Sequence, residues 1–193
     1  MQDSGGYPGS MAVRAADVAA ELRSRLGDVP AKKLHKLLYY CQGHHLAATG
    51  RQLFSESISA WDMGPVVGNL WYEERDRGPS DGSGRLDEGA LNTVGYVISR
   101  YGRLTGRDLE HLTHAETPWL RANRDRRPGE SARIEAIWMK EYFRAEAHSD
   151  EDLMFVLDSG AVSEWLAGAQ TRKGDRLHAD SYEELQARLA DAR

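Results

Sequence analysis

The sequence predicts a mainly α-helical, compact multi-helix domain with one short extended element, followed by a small acidic helical module. Apolar residues recur at spacings of three and four along most of the chain, and glycine or proline stands where these stripes end. One stretch, residues 53–64, alternates instead. A chain of 193 residues can bury a core without disulfides or metal. We expect a disordered leader over residues 1–10, a main domain over 11–148 and an acidic appendage over 149–193.

Two amphipathic helices are predicted near the start of the main domain. Val18, Leu22 and Leu26 recur at helical spacing, and Gly27 is suited to the position after a helix. Pro30 fits the first turn of a second helix, which Gly50 closes. The apolar stripe of that second helix comprises Leu34, Leu37, Leu38, Cys41 and His45.

The middle of the chain predicts a short strand and three more helices. In residues 53–64, Ile58 and Ala60 alternate with serines, and Gly64-Pro65 is expected to end the extended stretch. Pro65 is then expected to open a third helix that runs through Val66 and Val67 to Gly78. Asp87 is a predicted N-cap for the fourth helix, and Thr105 with Asp108 resembles a capping box for the fifth.

The last part of the chain predicts further capped helices. The fifth helix is expected to stop before Pro118, and residues 123–130 to form a polar loop. Ser131 is the expected cap of a sixth helix that contains Ile134, Ile137, Trp138 and Tyr142. In the appendage, Ser149 begins a capping-box pattern, but the apolar run that follows at residues 153–157 fits either a helix or a strand. Ser181 is the expected cap of a last helix.

The charge distribution separates the main body from the appendage and excludes several functional classes. Residues 149–193 carry five basic and ten acidic side chains, whereas residues 1–148 are balanced. A neutral body disfavours nucleic-acid binding, which depends on excess positive charge. The chain has no apolar run long enough for a transmembrane helix. Its single cysteine, Cys41, cannot form an internal disulfide, which is typical of a cytoplasmic protein.

Residues that could support catalysis or metal binding are few. His111, His114 and Glu116 form one candidate metal cluster, although the two histidines lack a His-Glu-x-x-His pattern. The neighbours His44 and His45 point about 100° apart on a helix and cannot chelate one ion. No phosphate-binding or nucleophile motif is present. We therefore expect no catalytic residue, no metal and no cofactor.

Tryptophans beside chain reversals and a basic loop are the candidate contacts to a protein partner. Large aromatic residues at such places serve as interface anchors, although packing in the core is an alternative for each of them. The loop around residues 121–133 carries a local positive charge that suits a carboxylate-rich partner or pairing with the acidic appendage. The candidate partner-binding residues are Trp61, Met63, Pro65, Trp119, Arg124 and Arg127.

Three ordered motifs resemble one known family. The first is KLHKLLYYCQGHHL at residues 33–46, followed by ISAWDMGPVV at 58–67; the others are LTHAETPW at 112–119 and IEAIWMKEYF at 134–143. Their order and separation resemble the Panacea antitoxin domain, the family of SocA-like antitoxins and related phage-associated proteins, over residues 14–145. The chain departs from the family at His35, where glutamine is common, and at His44, where an aromatic residue is common.

The resemblance implies a mostly α-helical antitoxin of a toxin–antitoxin pair that neutralises a protein toxin by direct contact. Toxins paired with this family often attack translation and include alarmone-synthetase-like enzymes. We expect a cytoplasmic, non-enzymatic protein, and the sequence leaves open whether it self-associates. The alternatives are a proteolytic adaptor, a regulator that binds its own operator, and, third, a metal-dependent hydrolase that uses His111 or His114.

Overall fold

The computed structural model of the protein describes residues 13–80, 82–147 and 155, all of which lie within the unit Met1–Leu157. The described part is mainly α-helical, as predicted, with seven helices and a three-stranded sheet of order β2-β1-β3. The predicted leader and the predicted helices of the acidic appendage lie outside the described residues. The elements are α1 Ala15–Leu26, α2 Ala31–Thr49, β1 Ile58–Trp61, β2 Gly64–Val67, α3 Gly68–Arg77, α4 Glu88–Tyr101, α5 Gly106–Ala115, α6 Thr117–Asn123, β3 Ala132–Ile134 and α7 Ala136–Glu146.

Helix α2 lies at the centre of the domain. Residues 34–47 are all buried, because α1, α4, α5, α7 and β2 each pack against the helix. Its closest approach to α7 occurs at Gly43, where an added Cβ would lie 2.1 Å from the Phe143 ring. Glycine is therefore required there for space, since even an alanine methyl group would overlap a ring that is itself buried.

The predicted starts and ends of α1, α2, α4 and α5 are confirmed, and their caps use the expected chemistry. The Asp87 side chain accepts a hydrogen bond from the Ala90 N–H at 2.8 Å, and Thr105 and Asp108 form a reciprocal capping box. Gly50 ends α2 in the left-handed conformation, and its N–H donates to the Leu46 carbonyl at 2.9 Å. These signals are local, which is why the sequence alone places them correctly.

The predicted third helix is wrong in its first residues. Pro65, Val66 and Val67 belong to β2, which pairs antiparallel with β1, and α3 begins only at Gly68. Gly64 begins β2 directly after the two-residue turn at Asp62 and Met63, and its φ is positive, at 99°. All four residues of β2 are buried, so tertiary pairing overrides the preference of proline for a helix start.

The region around α6 and β3 differs from the prediction in two ways. The fifth helix stops before Pro118, as predicted, but Pro118 then lies in the first turn of a short helix, α6, that begins at Thr117 and was not expected. Ser131 does not cap a helix, because residues 132–134 form β3 and pair with β1, with Ile58 opposite Ile134. The helical spacing of Ile134 with Ile137 is therefore coincidental, and α7 starts at Ala136.

Candidate functional site

A cluster of three aromatic rings and one arginine lies on the surface where β1 meets α3. The ring centroids of Trp61 and Trp71 are 5.3 Å apart, those of Trp71 and Tyr72 are 5.1 Å apart, and both pairs meet edge to face. The Arg75 guanidinium lies 5.1 Å from the Trp71 ring and 5.2 Å from the Tyr72 ring. We call Trp61, Trp71, Tyr72 and Arg75 the aromatic patch.

Three of the four side chains of the aromatic patch lie on one face of α3. Arg75 stands four residues after Trp71 and three after Tyr72, so the three side chains share one face of the helix. Tyr72 is 50% exposed, Trp61 and Trp71 are half-buried, and none of the three rings belongs to the hydrophobic core. Arg75 also pairs with Asp76 at 2.8 Å, an exposed ion pair of the kind that contributes little to stability.

A cavity of about 500 Å³ lies beside the aromatic patch and shares Trp71 and Arg75 with it. Val29, Pro30 and Pro79 supply apolar wall, and an ion pair between Arg23 and Glu74 borders the cavity. This size is in the range of sites that accept a small molecule or a protruding side chain.

One wall of this cavity contains a hydrogen-bond donor without an acceptor. The Val67 N–H donates to Nδ1 of His35 at 3.3 Å, so the ring proton must be on Nε2. Burial lowers the pKa of His35 to about 4, and the ring is therefore neutral at pH 7. Nε2 is buried and has no partner within the described part of the chain. Such unpaired buried donors are rare in folded proteins.

The β1–β2 turn next to Trp61 is held by the loop that precedes β3. Asp62 pairs with Arg126 at 2.6 Å and accepts a hydrogen bond from the Gly129 N–H at 2.9 Å, and the hydrogen bond from Arg126 lowers the pKa of Asp62. The Trp61 indole donates to Ser131 Oγ at 3.1 Å. These contacts fix the turn and with it the exposed side chain of Met63.

The structure places the six predicted contact residues in different environments. Trp61 belongs to the aromatic patch, and Met63 follows it in the turn, 52% exposed. Pro65 is buried in β2, and Trp119 is buried and stacks on His114 with centroids 4.0 Å apart, so both pack within the domain. The remaining two residues, Arg124 and Arg127, are exposed in the loop before β3.

Trp71, Tyr72 and Arg75 are contact candidates beyond the six that the sequence predicts. In the structure, Leu70 is the buried residue of α3, and Trp71, Tyr72 and Arg75 lie at the surface. The W-Y-x-x-R pattern was the available signal, because on a helix it places the arginine over both rings.

A second group of functional interest is the buried carboxylate of Glu116, at the junction of α5 and α6. The hydroxyls of Tyr39 and Tyr40 each donate a hydrogen bond of 2.8 Å to one of its oxygens. Burial raises the pKa of Glu116 to about 7, although the two phenol hydrogen bonds act in the opposite direction. Burial and the nearby carboxylate also raise the pKa of both tyrosines.

A cavity of about 370 Å³ lies next to Glu116, between α2, α4, α5 and α7. Aromatic side chains dominate its wall, and Tyr40 stacks on Tyr101 with centroids 3.9 Å apart. The residues that line it are Tyr40, His44, Tyr96, Arg100, Tyr101, Leu104, Leu112, Glu116, Tyr142, Phe143, Glu146 and Ala147.

Lys36 is a buried base that helps to position β2. Its ammonium group lies 3.4 Å from the Pro65 carbonyl, and burial lowers its pKa to about 8. A Cβ on Gly64 would lie 2.8 Å from the Lys36 side chain, so this glycine is required for space as well as for its positive φ.

The histidines and the cysteine have structural environments. His44 Nε2 lies 3.0 Å from the Tyr101 hydroxyl, and His45 Nδ1 lies 2.9 Å from Thr93 Oγ1. The Cys41 thiol is fully buried, which raises its pKa and keeps it protonated. Within residues 13–80, 82–147 and 155, no group of three or more His, Cys, Asp or Glu side chains is arranged to hold a metal ion. None of the helices in the described part is long and apolar enough to cross a membrane.

Comparison with known proteins gives a match to a family model. No curated protein and no solved structure gives a significant match to the chain. The stretch that matches the family model begins inside α2 and ends inside α6. It therefore includes most of α2, the β1–β2 hairpin, the aromatic patch and Glu116. Residues 34–120, slightly less than half of the chain, match the family described as "Antitoxin SocA-like, Panacea domain", which is the family that the three motifs resemble.

Proposed function

We propose that the chain is an antitoxin that neutralises a cognate protein toxin by direct binding, and that the aromatic patch is the centre of the contact surface. The observation that carries this proposal is a surface cluster of two half-buried tryptophans, an exposed tyrosine and an exposed arginine within the stretch that matches an antitoxin family. Tryptophan, tyrosine and arginine are the residues that most often dominate binding energy in protein interfaces. Their exposure in the unbound protein leaves apolar area for a partner to bury.

The chemistry around the aromatic patch defines the kind of toxin surface that fits it. The adjoining cavity has the size and the apolar wall to accept an apolar side chain. Arg124 and Arg127 have no ion-pair partner within the described residues and suit carboxylates at the rim of the interface. The toxin is therefore expected to present an apolar side chain surrounded by acidic groups.

Direct neutralisation requires no chemistry from the antitoxin. The resemblance links such partners to enzymes that attack translation, including alarmone-synthetase-like toxins, which act in the cytoplasm. We accordingly propose a non-enzymatic, cytoplasmic role in which the bound antitoxin blocks the toxin.

The test is co-expression with the product of the neighbouring open reading frame. The wild-type chain should restore growth and co-purify with the toxin, whereas Tyr72→Ala should weaken the complex about tenfold or more, as expected for a hot-spot residue. Ile137→Ala is the matched control, because Ile137 on α7 is 53% exposed, close to the exposure of Tyr72. Both variants should show wild-type thermal unfolding.

Three results would contradict the proposal. Persistent toxicity without a complex would exclude antitoxin action for that pair. Equal weakening by Tyr72→Ala and Ile137→Ala would exclude the aromatic patch as the centre of the interface. Loss of the toxin from the cell while the antitoxin is present, prevented by inactivating a protease, would support the proteolytic-adaptor alternative instead.

A further inference from the structure

We propose that the cavity beside Glu116 is a binding site for a compact organic cation that carries an ammonium or guanidinium group. The cavity is separate from the aromatic patch, since it lies between α2, α4, α5 and α7 and shares no lining residue with the patch. Its volume of about 370 Å³ falls within the range of small-molecule sites. The proposal therefore does not depend on the toxin interaction.

Aromatic rings make up much of the wall of this cavity. Tyr40 and Tyr101 stack with their rings 12° from parallel, Tyr142 meets Phe143 edge to face at 5.2 Å, and Phe143 lies 5.9 Å from Tyr40. Tyr96 is held in place by Phe155, whose ring stacks on it at 4.1 Å. The faces of aromatic rings attract cations, and cages of several rings recognise alkylated ammonium groups.

The charges at the cavity favour a cation over an anion. Among the described residues, two carboxylates, those of Glu116 and Glu146, line it together with one guanidinium, that of Arg100. Arg100 already interacts with the phenols of Tyr96 and Tyr101, and it lies 5.7 Å from the Tyr101 ring. Burial lowers the pKa of His44 to about 3, so this ring adds no positive charge at neutral pH.

Glu116 is the side chain in this cavity that a bound cation would stabilise most. Its side chain is only 8% exposed, and its hydrogen bonds come from neutral phenols, which use one lone pair on each oxygen. No cationic side chain within the described residues forms an ion pair with it. A buried carboxylate is stabilised far more by an opposite charge than by neutral donors, and the open cavity is where that charge can enter.

Binding should depend on pH, because a cation binds the ionised carboxylate and not the protonated acid. The titratable and charged groups around Glu116 are Tyr39, Tyr40 and His44 on α2, Arg100 and Tyr101 on α4, and Tyr142 and Glu146 on α7. Since the pKa of Glu116 is about 7, the ionised fraction rises about tenfold from pH 6 to pH 8. The affinity for a cation should rise by the same factor.

The experiment is a titration of the full chain with tetramethylammonium and with N-acetyl-L-arginine amide, followed by calorimetry and by NMR of the aromatic side chains. tert-Butyl alcohol serves as the uncharged control for tetramethylammonium, and adenosine monophosphate as the anionic aromatic control. Glu116→Gln removes the charge but keeps a hydrogen-bonding side chain. Glu141→Gln is the matched control, because Glu141 lies on α7 outside the cavity and its side chain is 60% exposed.

We expect saturable binding of at least one of the two cations, shifts confined to the cavity tyrosines, and about tenfold tighter binding at pH 8 than at pH 6. Glu116→Gln should weaken the binding about tenfold or more, and Glu141→Gln should leave it unchanged. The proposal is overturned if neither cation binds saturably, if tert-butyl alcohol or adenosine monophosphate binds as tightly, or if the two glutamine variants behave alike. Failure of toxin binding would not affect this result.

Discussion

Replacing Glu116 by Gln should make the protein more stable at pH 8 but not at pH 5. The glutamine amide can keep both hydrogen bonds, because its carbonyl accepts from one phenol and its NH₂ donates to the oxygen of the other. The substitution is nearly isosteric, so packing around Tyr39 and Tyr40 is retained. The wild type spends free energy to ionise a carboxyl group in a buried site, and the glutamine variant does not.

The magnitude follows from the raised pKa of Glu116. The pKa is 4.5 in the unfolded chain and about 7 in the folded protein, so between these values the folded state binds more protons than the unfolded state. Stability contributed by this group is therefore lost as the pH rises. From pH 5 to pH 8 the loss amounts to about 2 to 3 kcal/mol, and the variant should not show it.

Urea denaturation of both proteins at several pH values between 5 and 8 measures the effect. The difference between wild type and variant is the informative quantity, because other titrating groups contribute to both curves. His35 and His44, for example, have lowered pKa values and add stability as the pH rises towards 6.5. If the difference in the free energy of unfolding is constant from pH 5 to pH 8, Glu116 is not the buried titrating group inferred here.

Three further substitutions test the packing and the caps by thermal and urea unfolding. Gly43→Ala should lower the free energy of unfolding by about 2 kcal/mol despite the higher helix propensity of alanine, since its methyl group overlaps the ring of Phe143. The double variant with Phe143→Leu should recover part of this loss. A Gly43→Ala variant that is more stable than the wild type would refute the overlap. Lys36→Met should raise the free energy of unfolding at pH 7 by about 2 kcal/mol, because the folded wild type buries a charged ammonium group. This gain should shrink as the pH rises from 8 to 10.5, since the lysine is then neutral in the folded protein and progressively loses its proton in the unfolded chain as well. An equal gain at pH 7 and pH 10.5 would show that the stabilisation does not come from removing the buried charge. Asp87→Ala should cost about 1 kcal/mol through loss of the α4 N-cap, and an unchanged midpoint would mean that the cap is not needed.

The sequence predicts those parts of the fold that local chemistry determines. Helix α2 follows from its apolar stripe and Gly50, and α4 follows from the Asp87 cap. The sheet could not be predicted in full, because β2 and β3 exist only through pairing with β1 over separations that a sequence pattern does not reveal. Pro65 and Ile134 are the residues where pairing prevails over helical spacing.

The candidate site could be predicted only in part, for a related reason. The chain reversal visible at Gly64-Pro65 points to Trp61 and Met63, whereas the surface position of Trp71 and Tyr72 depends on where α3 begins and packs. The role of Glu116 was also not predictable. Its tyrosine partners are more than 70 residues away, and a glutamate next to Pro118 gives no sign of burial.

The central position of β1 and α2 has a consequence for how this domain can be handled. The stretch matched by the family, residues 34–120, excludes α1, β3 and α7. A fragment of residues 34–120 would lack β3 and so leave one edge of β1 without a hydrogen-bonded partner strand. It would also lack Phe143 and so expose the apolar surface of α2 around Gly43. Both features favour aggregation. The recognisable stretch is thus shorter than the cooperative folding unit. A transfer of the proposed contact surface from one relative to another should therefore exchange exposed residues of α3 and the β1–β2 turn within an intact domain.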